Sequence, residues 1–220
     1  YTLVYTLSLH DALPIYPKPH DESASKQLAA TFFQHLIEIN PDIEVINVDL
    51  YRDPPPYLSY EAYRGFWYPV FIDGYQTTDN ELEAGSYAIQ QGELIRDADV
   101  LVLTTPMWNY SAPAILKAWM DQVLSPGQAF DMTKEGPRPL HHIRKLLVLA
   151  ASGGVYKEGD PSDALTSQIL SSFRFIGIDD VEIAWADGQN PLFFDDSENR
   201  KLIATEAARE LAEELAEEGA

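Results

Sequence analysis

The chain of 220 residues contains no cysteine, so disulfides, thiolate nucleophiles and cysteine-bound metals are excluded as sources of stability or chemistry. Basic residues are scarce. Lysine and arginine total 15 against 35 acidic residues, a formal charge of −20, which makes nucleic acid and anionic membranes poor partners. Apolar runs of membrane-spanning length are missing. Repeats and low-complexity linkers are missing too. The absence of cysteine is compatible with a cytoplasmic protein, which is the expectation. Tyr1–Ile15 has no basic n-region and no small-residue cleavage site, and reads poorly as a signal peptide.

What is present is a core-forming apolar content of 45%, enough for one domain. Strand and helix patterns alternate, the mark of a parallel sheet covered on both faces. Helical spacing predicts 23–39, with Leu28, Phe32, Leu36 and Ile39 inward and Asn40-Pro41 as the stop. Further helices are expected over 81–98, 113–124, 161–175 and 198–218, the last acidic with Ile203, Ala207, Leu211 and Leu215 inward. Strands are expected over 43–50, 100–104, 145–151 and 180–185. Residues 51–80 form a long aromatic and proline-rich connection, and 128–144 an insertion carrying Phe130. Connections of that length are functional or partly helical. For 57–75 two readings compete: a lid or dimer partner over a ligand, which we favour and which Phe130 would join, or satellite core.

The most informative stretch is 106–123. An apolar strand runs into Pro106-Met107-Trp108-Asn109-Tyr110-Ser111, and Pro113 opens a helix. In an open α/β sheet such a turn lies at the carboxyl edge, where ligands bind. Its flat apolar faces and one amide suit a planar heterocycle better than a phosphate. Alone, the turn is equally an aromatic packing corner. Ser23 and Ser25 open the first helix, where unpaired amides and a partial positive charge attract anions. Taken alone, Ser23 is better read as an ordinary N-cap. Asp21 and Glu22 beside it would repel an anion unless they face solvent or pair with Lys18 or Lys26. Ala151-Ser152-Gly153-Gly154 follows another strand, and glycines there permit close backbone approach. His141-His142 lacks metal-ligand spacing, His10, His20 and His35 are isolated, and Asp53, Asp73 and Asp79 read as turn residues. Arg174 reads as structural or interfacial. No metal site is expected.

Taken together, Ser23-Ala24-Ser25-Lys26-Gln27-Leu28, the 106–123 stretch, Ala151-Ser152-Gly153-Gly154-Val155-Tyr156 and Phe173-Arg174-Phe175-Ile176-Gly177-Ile178 resemble the FMN-dependent NADH:quinone oxidoreductase/azoreductase family. The resemblance spans roughly 16–190. It implies a flavodoxin-like α/β fold: a doubly wound, five-stranded parallel sheet in three layers, provided a first strand exists within 3–16. It implies FMN, with the phosphate at Ser23, Ala24 and Ser25. The isoalloxazine ring would lie between Met107, Trp108, Asn109, Tyr110 and Ala151, Ser152, Gly153, Gly154. NADH or NADPH would pass a hydride to flavin N5, and a quinone or azo aromatic would then take two electrons in the same slot. That order is ping-pong, in a homodimer, and no protein group need act as acid or base.

Two departures stand out. The family more often has Ser-Arg-Gly-Gly where this chain has Ala151-Ser152-Gly153-Gly154. It also has a Ser-Pro-Arg-like turn before the first helix, where this chain has Tyr16-Pro17-Lys18-Pro19; Lys18 is the expected substitute cation. The run Ser8–Ile15 resembles a translated sequencing adapter, so residues 1–15 are doubtful as native sequence and the FMN-binding domain is expected over 16–220. The alternatives are an electron carrier of flavodoxin type, without a substrate of its own, and an apo-protein with impaired FMN binding. The two insertions argue against the carrier.

Overall fold

The computed structural model describes residues 3–8, as backbone, and 22–218. The parallel sheet has the order β2-β1-β3-β6-β7, from β1 (Leu3–Ser8), β2 (Glu44–Asp49), β3 (Val100–Pro106), β6 (Lys145–Ala151) and β7 (Val181–Ala186). β1 pairs with β2 and β3, Leu3 opposite Glu44 and Val4 opposite Val100. The Tyr16–Pro19 turn, with Lys18 and Asp21, lies outside the described residues. The helices are α1 (Ala24–Ile39), α2 (Tyr60–Phe71), α3 (Asp79–Ala84), α4 (Ser86–Asp97), α5 (Ala114–Val123), α6 (Ala164–Phe175) and α7 (Ser197–Glu218). A hairpin, β4 (Phe130–Thr133) with β5 (Gly136–Pro139), stands apart from the sheet. Among the described residues no helix is long and apolar enough to cross a membrane.

The unbroken apolar runs of β3 and β6 follow from burial on both faces. Successive side chains alternate between two cores. Leu101, Leu103, Leu146, Val148 and Ala150 meet Trp119, Phe130 and Phe173 on one face. Val100, Val102, Leu147 and Leu149 meet Leu28, Phe32 and Leu36 of α1 and Leu211 and Leu215 of α7 on the other.

Several expectations need correction. The single helix expected over 81–98 is two, α3 and α4, meeting at Gly85, where the Phe66 ring leaves no room for a side chain; a Cβ at Gly85 would lie 2.7 Å from Phe66 Cζ. The 51–80 connection is partly helical, as expected, holding α2 and the first residues of α3. Ser59 caps α2 by accepting from the Ala62 amide, and Thr78 and Glu81 close a capping box on α3. Ile203 is 64% exposed rather than inward. The buried stripe of α7 is Ala204, Ala208, Leu211, Ala212, Leu215 and Ala216, whose four alanines let α7 approach α1 closely. Ile39, in the last turn of α1, is 44% exposed. Phe130 joins the main core, edge-on to Phe175 at 5.3 Å, and lines no ligand wall.

Lys145, at the start of β6, shows how a buried cation is tolerated. Its ammonium lies 2.7 Å from Glu182 and 2.8 Å from Glu218, with Asp180 at 3.8 Å. Burial works against its charge, but the bonds to Glu182 and Glu218 overcome that and raise its pKa. Glu218, bonded to Lys145 and then to Arg144, is held below the usual carboxylate range. The cluster ties β6 and β7 to the end of α7.

Candidate functional site

Four segments meet at the carboxyl edge of the sheet. The first is the start of α1. Ser23 sits at the N-cap position with φ −106°, yet its side chain makes no capping hydrogen bond. Its Oγ lies 3.5 Å from Ser25 Oγ, and Ser25 is buried. The N-cap reading of Ser23 is therefore not realised. The Ser23 side chain leaves the helix start uncapped, and two hydroxyls stand beside it, a setting that suits an anion. Lys26 is buried in the same turn, and Glu22 is exposed.

The second segment follows β3. Trp108 and Ser111 exchange backbone hydrogen bonds of 3.0 Å in both directions, and the Met107 amide donates to Ala151 O at 2.7 Å. The turn so closed puts Asn109 at φ 47° and Tyr110 at φ 68°. Positive φ at both central positions marks a type I′ turn, where asparagine is favoured and tyrosine is not. Holding tyrosine there costs about 1 kcal/mol, and such strain persists only where neighbours enforce it. The Ala164 amide does so by donating to Tyr110 O at 3.0 Å.

The third segment is Ser152–Tyr156. The Ser152 hydroxyl donates to Gly154 O and accepts from Trp185 Nε1, both at 2.8 Å. It braces the turn, and its proton is already engaged. Gly154 has no side chain because Tyr156 passes over it; a Cβ there would lie 3.0 Å from the phenol oxygen.

The fourth segment, after β7, was not anticipated from the sequence. Gly188, Gln189 and Asn190 donate their amides to Gly154 O, Ser152 O and Gly153 O in turn, at 2.9, 2.9 and 3.3 Å. This zips the β7 loop to the third turn and brings Ser197, Glu198 and Lys201 of α7 to the cleft. Lys201 lies 2.8 Å from Glu198 and its side chain is 22% exposed. The signal was Gly188-Gln189-Asn190-Pro191 after a strand at the same sheet edge, overshadowed by the acidity of α7.

These segments enclose a cavity of about 580 Å³, whose lining includes Ser23, Ala24, Ser25, Met107, Trp108, Ala151, Ser152, Gly153, Asn190 and Lys201. Asn109, Tyr110 and Gly154 line a second cavity that shares Met107, Ser152, Gly153 and Asn190 with the first. No residue of 57–75 lines either, so within one chain the lid reading is not realised. Part of that segment is satellite core instead, Ala62 and Phe66 packing on Ala88, while Tyr57 and Phe71 remain exposed. His141 is structural. Its Nε2 bonds to Ile176 O and its Nδ1 accepts from the Ile143 amide, and burial pushes its pKa down. Arg174 is exposed and away from both cavities. The arrangement can hold an anionic tail at one end and a flat ring system at the other, which fits FMN: uncapped amides and hydroxyls for the phosphate, and an apolar turn with close-lying backbone for the ring.

A family model described as "Flavodoxin-like fold" matches residues 12–215. The FMN-dependent NADH:quinone oxidoreductase of Azotobacter vinelandii is 36% identical over 171 residues, covering 76% of this chain and 82% of that protein. FMN-dependent NADH:quinone oxidoreductase 2 of Bacillus licheniformis is 32% identical over 183 residues, covering 81% and 87%. A solved azoreductase from Bacillus anthracis superposes with a TM-score of 0.82 at 27% identity, covering 96% of this chain and 99% of that one.

Proposed function

We infer the activity from family membership and the cleft together: the chain belongs to the FMN-dependent NADH:quinone oxidoreductase family and carries its flavodoxin-like fold. It is an FMN-dependent oxidoreductase that passes two electrons from NADH to quinones and to azo aromatics. FMN, when bound, supplies the two-electron chemistry. The chain supplies grip, orientation and exclusion of water. Ser23, Ser25 and the first amides of α1 would hold the phosphate, with Lys18 as the expected substitute for the family's arginine; Lys201 also lines the cleft but is paired with Glu198. Met107, Trp108, Asn109 and Tyr110 would cover the ring, and Gly153 and Gly154 would bring backbone to its polar edge. Ala151 and Ser152 stand where the family has serine and arginine, so that edge receives fewer side-chain donors. Donor and acceptor use the slot in turn, so steady-state kinetics are ping-pong. We take the sheet as complete at five strands, residues 16–220 as one domain, and the enzyme as a cytoplasmic homodimer.

The single observation that carries this reading is the meeting of the α1 start, where Ser23 makes no side-chain cap, and Met107 and Trp108 of the aromatic turn on one cavity. An absorption spectrum of the purified protein tests it, followed by anaerobic titration with NADH and then a quinone. We expect a yellow protein that loses its colour with about one equivalent of NADH and regains it with quinone. A colourless protein that refuses added FMN would overturn the reading.

Asn109→Gly tests the ring turn without straining it, because glycine accepts positive φ at no steric cost. Loss of the amide removes about one hydrogen bond, so FMN should bind roughly 10-fold more weakly with folding stability unchanged. Unchanged affinity in a fluorescence titration would remove Asn109 from the site.

A further inference from the structure

The second cavity, also about 580 Å³, shares Asn109, Tyr110 and Gly154 with the ring site assigned above and adds three aromatic residues that lie outside it, Tyr156, Phe193 and Phe194. Tyr110 and Tyr156 meet edge to face at 6.4 Å, and Tyr156 lies against Trp185 at 6.1 Å, so one wall is braced. The other wall is the loop after Asn190. Asn190 Oδ1 accepts from the Leu192 amide, and Asn190 O accepts from the amides of Phe193 and Phe194. The Phe194 ring faces the Arg200 guanidinium at 5.7 Å, itself held by Asp187 and Asp196. Phe194 is thus anchored, while Phe193 lines the same cavity and stays 76% exposed. A phenyl ring fixed in water at the mouth of an aromatic slot gains by closing on an apolar ligand.

The charge around it has one sign in excess. Residues 187–201 hold four acids, Asp187, Asp195, Asp196 and Glu198, against Arg200 and Lys201, both already paired with those acids. On the Tyr156 side, burial, then Tyr110, then the carboxylates Asp160 and Asp163 raise the phenol pKa.

We propose that Phe193 is a specificity-determining residue, forming with Tyr110 and Tyr156 an aromatic clamp for flat, uncharged ring systems, and that the acidic loop carrying it disfavours anionic acceptors. The clamp adjoins the FMN cleft through Met107, Ser152, Gly153 and Asn190, so the proposal rests on the reading above.

The test uses FMN-loaded protein and two redox-inert probes with one ring system, neutral 2-naphthalenemethanol and anionic naphthalene-2-sulfonate, with calorimetric Kd values. The neutral probe should bind about 5-fold or more tightly than the sulfonate at low salt, and the gap should narrow at high salt. Phe193→Ala should weaken the neutral probe roughly 10-fold and raise the KM for 1,4-naphthoquinone similarly, with FMN affinity unchanged. Phe193→Trp should restore both. Equal binding of the two probes, or an unchanged Kd in Phe193→Ala, overturns the proposal. So does a Phe193→Ala variant whose only change is weaker self-association, since Phe193 would then belong to a contact between copies. Failure of the underlying reading is distinguishable: the unaltered protein would be colourless before any variant is made.

Discussion

Ser25→Asp is expected to weaken FMN binding by more than about 100-fold while leaving riboflavin binding nearly unchanged. Ser25 is the second residue of α1 and is 2% exposed, in the turn that faces the cavity. A carboxylate there would stand a few ångströms from the phosphate. At an effective dielectric near 20, two like unit charges about 4 Å apart repel by about 4 kcal/mol, and partial solvation leaves enough for a loss of two decades. The helix itself does not object, because an acid in the first turn complements its positive end. That gain offsets only part of the cost of a carboxylate at a position 2% exposed, so the FMN-free protein should lose some stability but stay folded. Ser25→Asn, of the same shape without the charge, should lose far less FMN affinity. Flavin fluorescence titrations with FMN and riboflavin give the comparison. Equal loss of both ligands would mean a collapsed site, and unchanged FMN affinity would mean the phosphate lies elsewhere.

How much of this was legible in the sequence depends on the range of the forces involved. Lys145–Ala151 was read with its observed bounds, because a strand buried on both faces writes itself as an uninterrupted apolar run. The start of α1 and the turn after β3 were legible as motifs, since each is local. The left-handed pair Asn109 and Tyr110 was not, because two hydrogen bonds across the turn and one from α6 impose it. The need for glycine at 85 was not legible, since Phe66, which crowds that position, comes from another helix. On α7, Leu211 and Leu215 were read inward as observed, but Ile203 was not: hydrophobicity favoured it, whereas close approach to α1 favours Ala204 and Ala208. Lys201 escaped notice because the β7 loop reaches the cleft only through amide bonds to Ser152, Gly153 and Gly154, pairings that no spacing rule anticipates.

Trp119→Ala is expected to cost about 3–5 kcal/mol, the largest stability loss foreseen for a single substitution in this chain. Trp119 is 0% exposed, lies in the core cluster with Phe130 and Phe173, and donates its indole N–H to Gln91 Oε1 at 3.1 Å, joining α5 to α4. Alanine would leave a cavity at the centre of one helical layer and remove that bond. For a chain of this length the melting temperature should fall by about 10 °C. Trp119→Phe, which keeps most of the volume, should lose about half as much. Trp119 lines neither cavity, so saturating FMN should raise the melting temperature of Trp119→Ala nearly as much as that of the unaltered protein. Ser25→Asp should do the reverse, melting closer to the unaltered protein than Trp119→Ala does and losing the shift. The crossed pair separates grip from scaffold. If Trp119→Ala lost the FMN-induced shift while melting normally, the ring turn would depend on α5 for its shape, and the division between core and cleft drawn from the structure would fall.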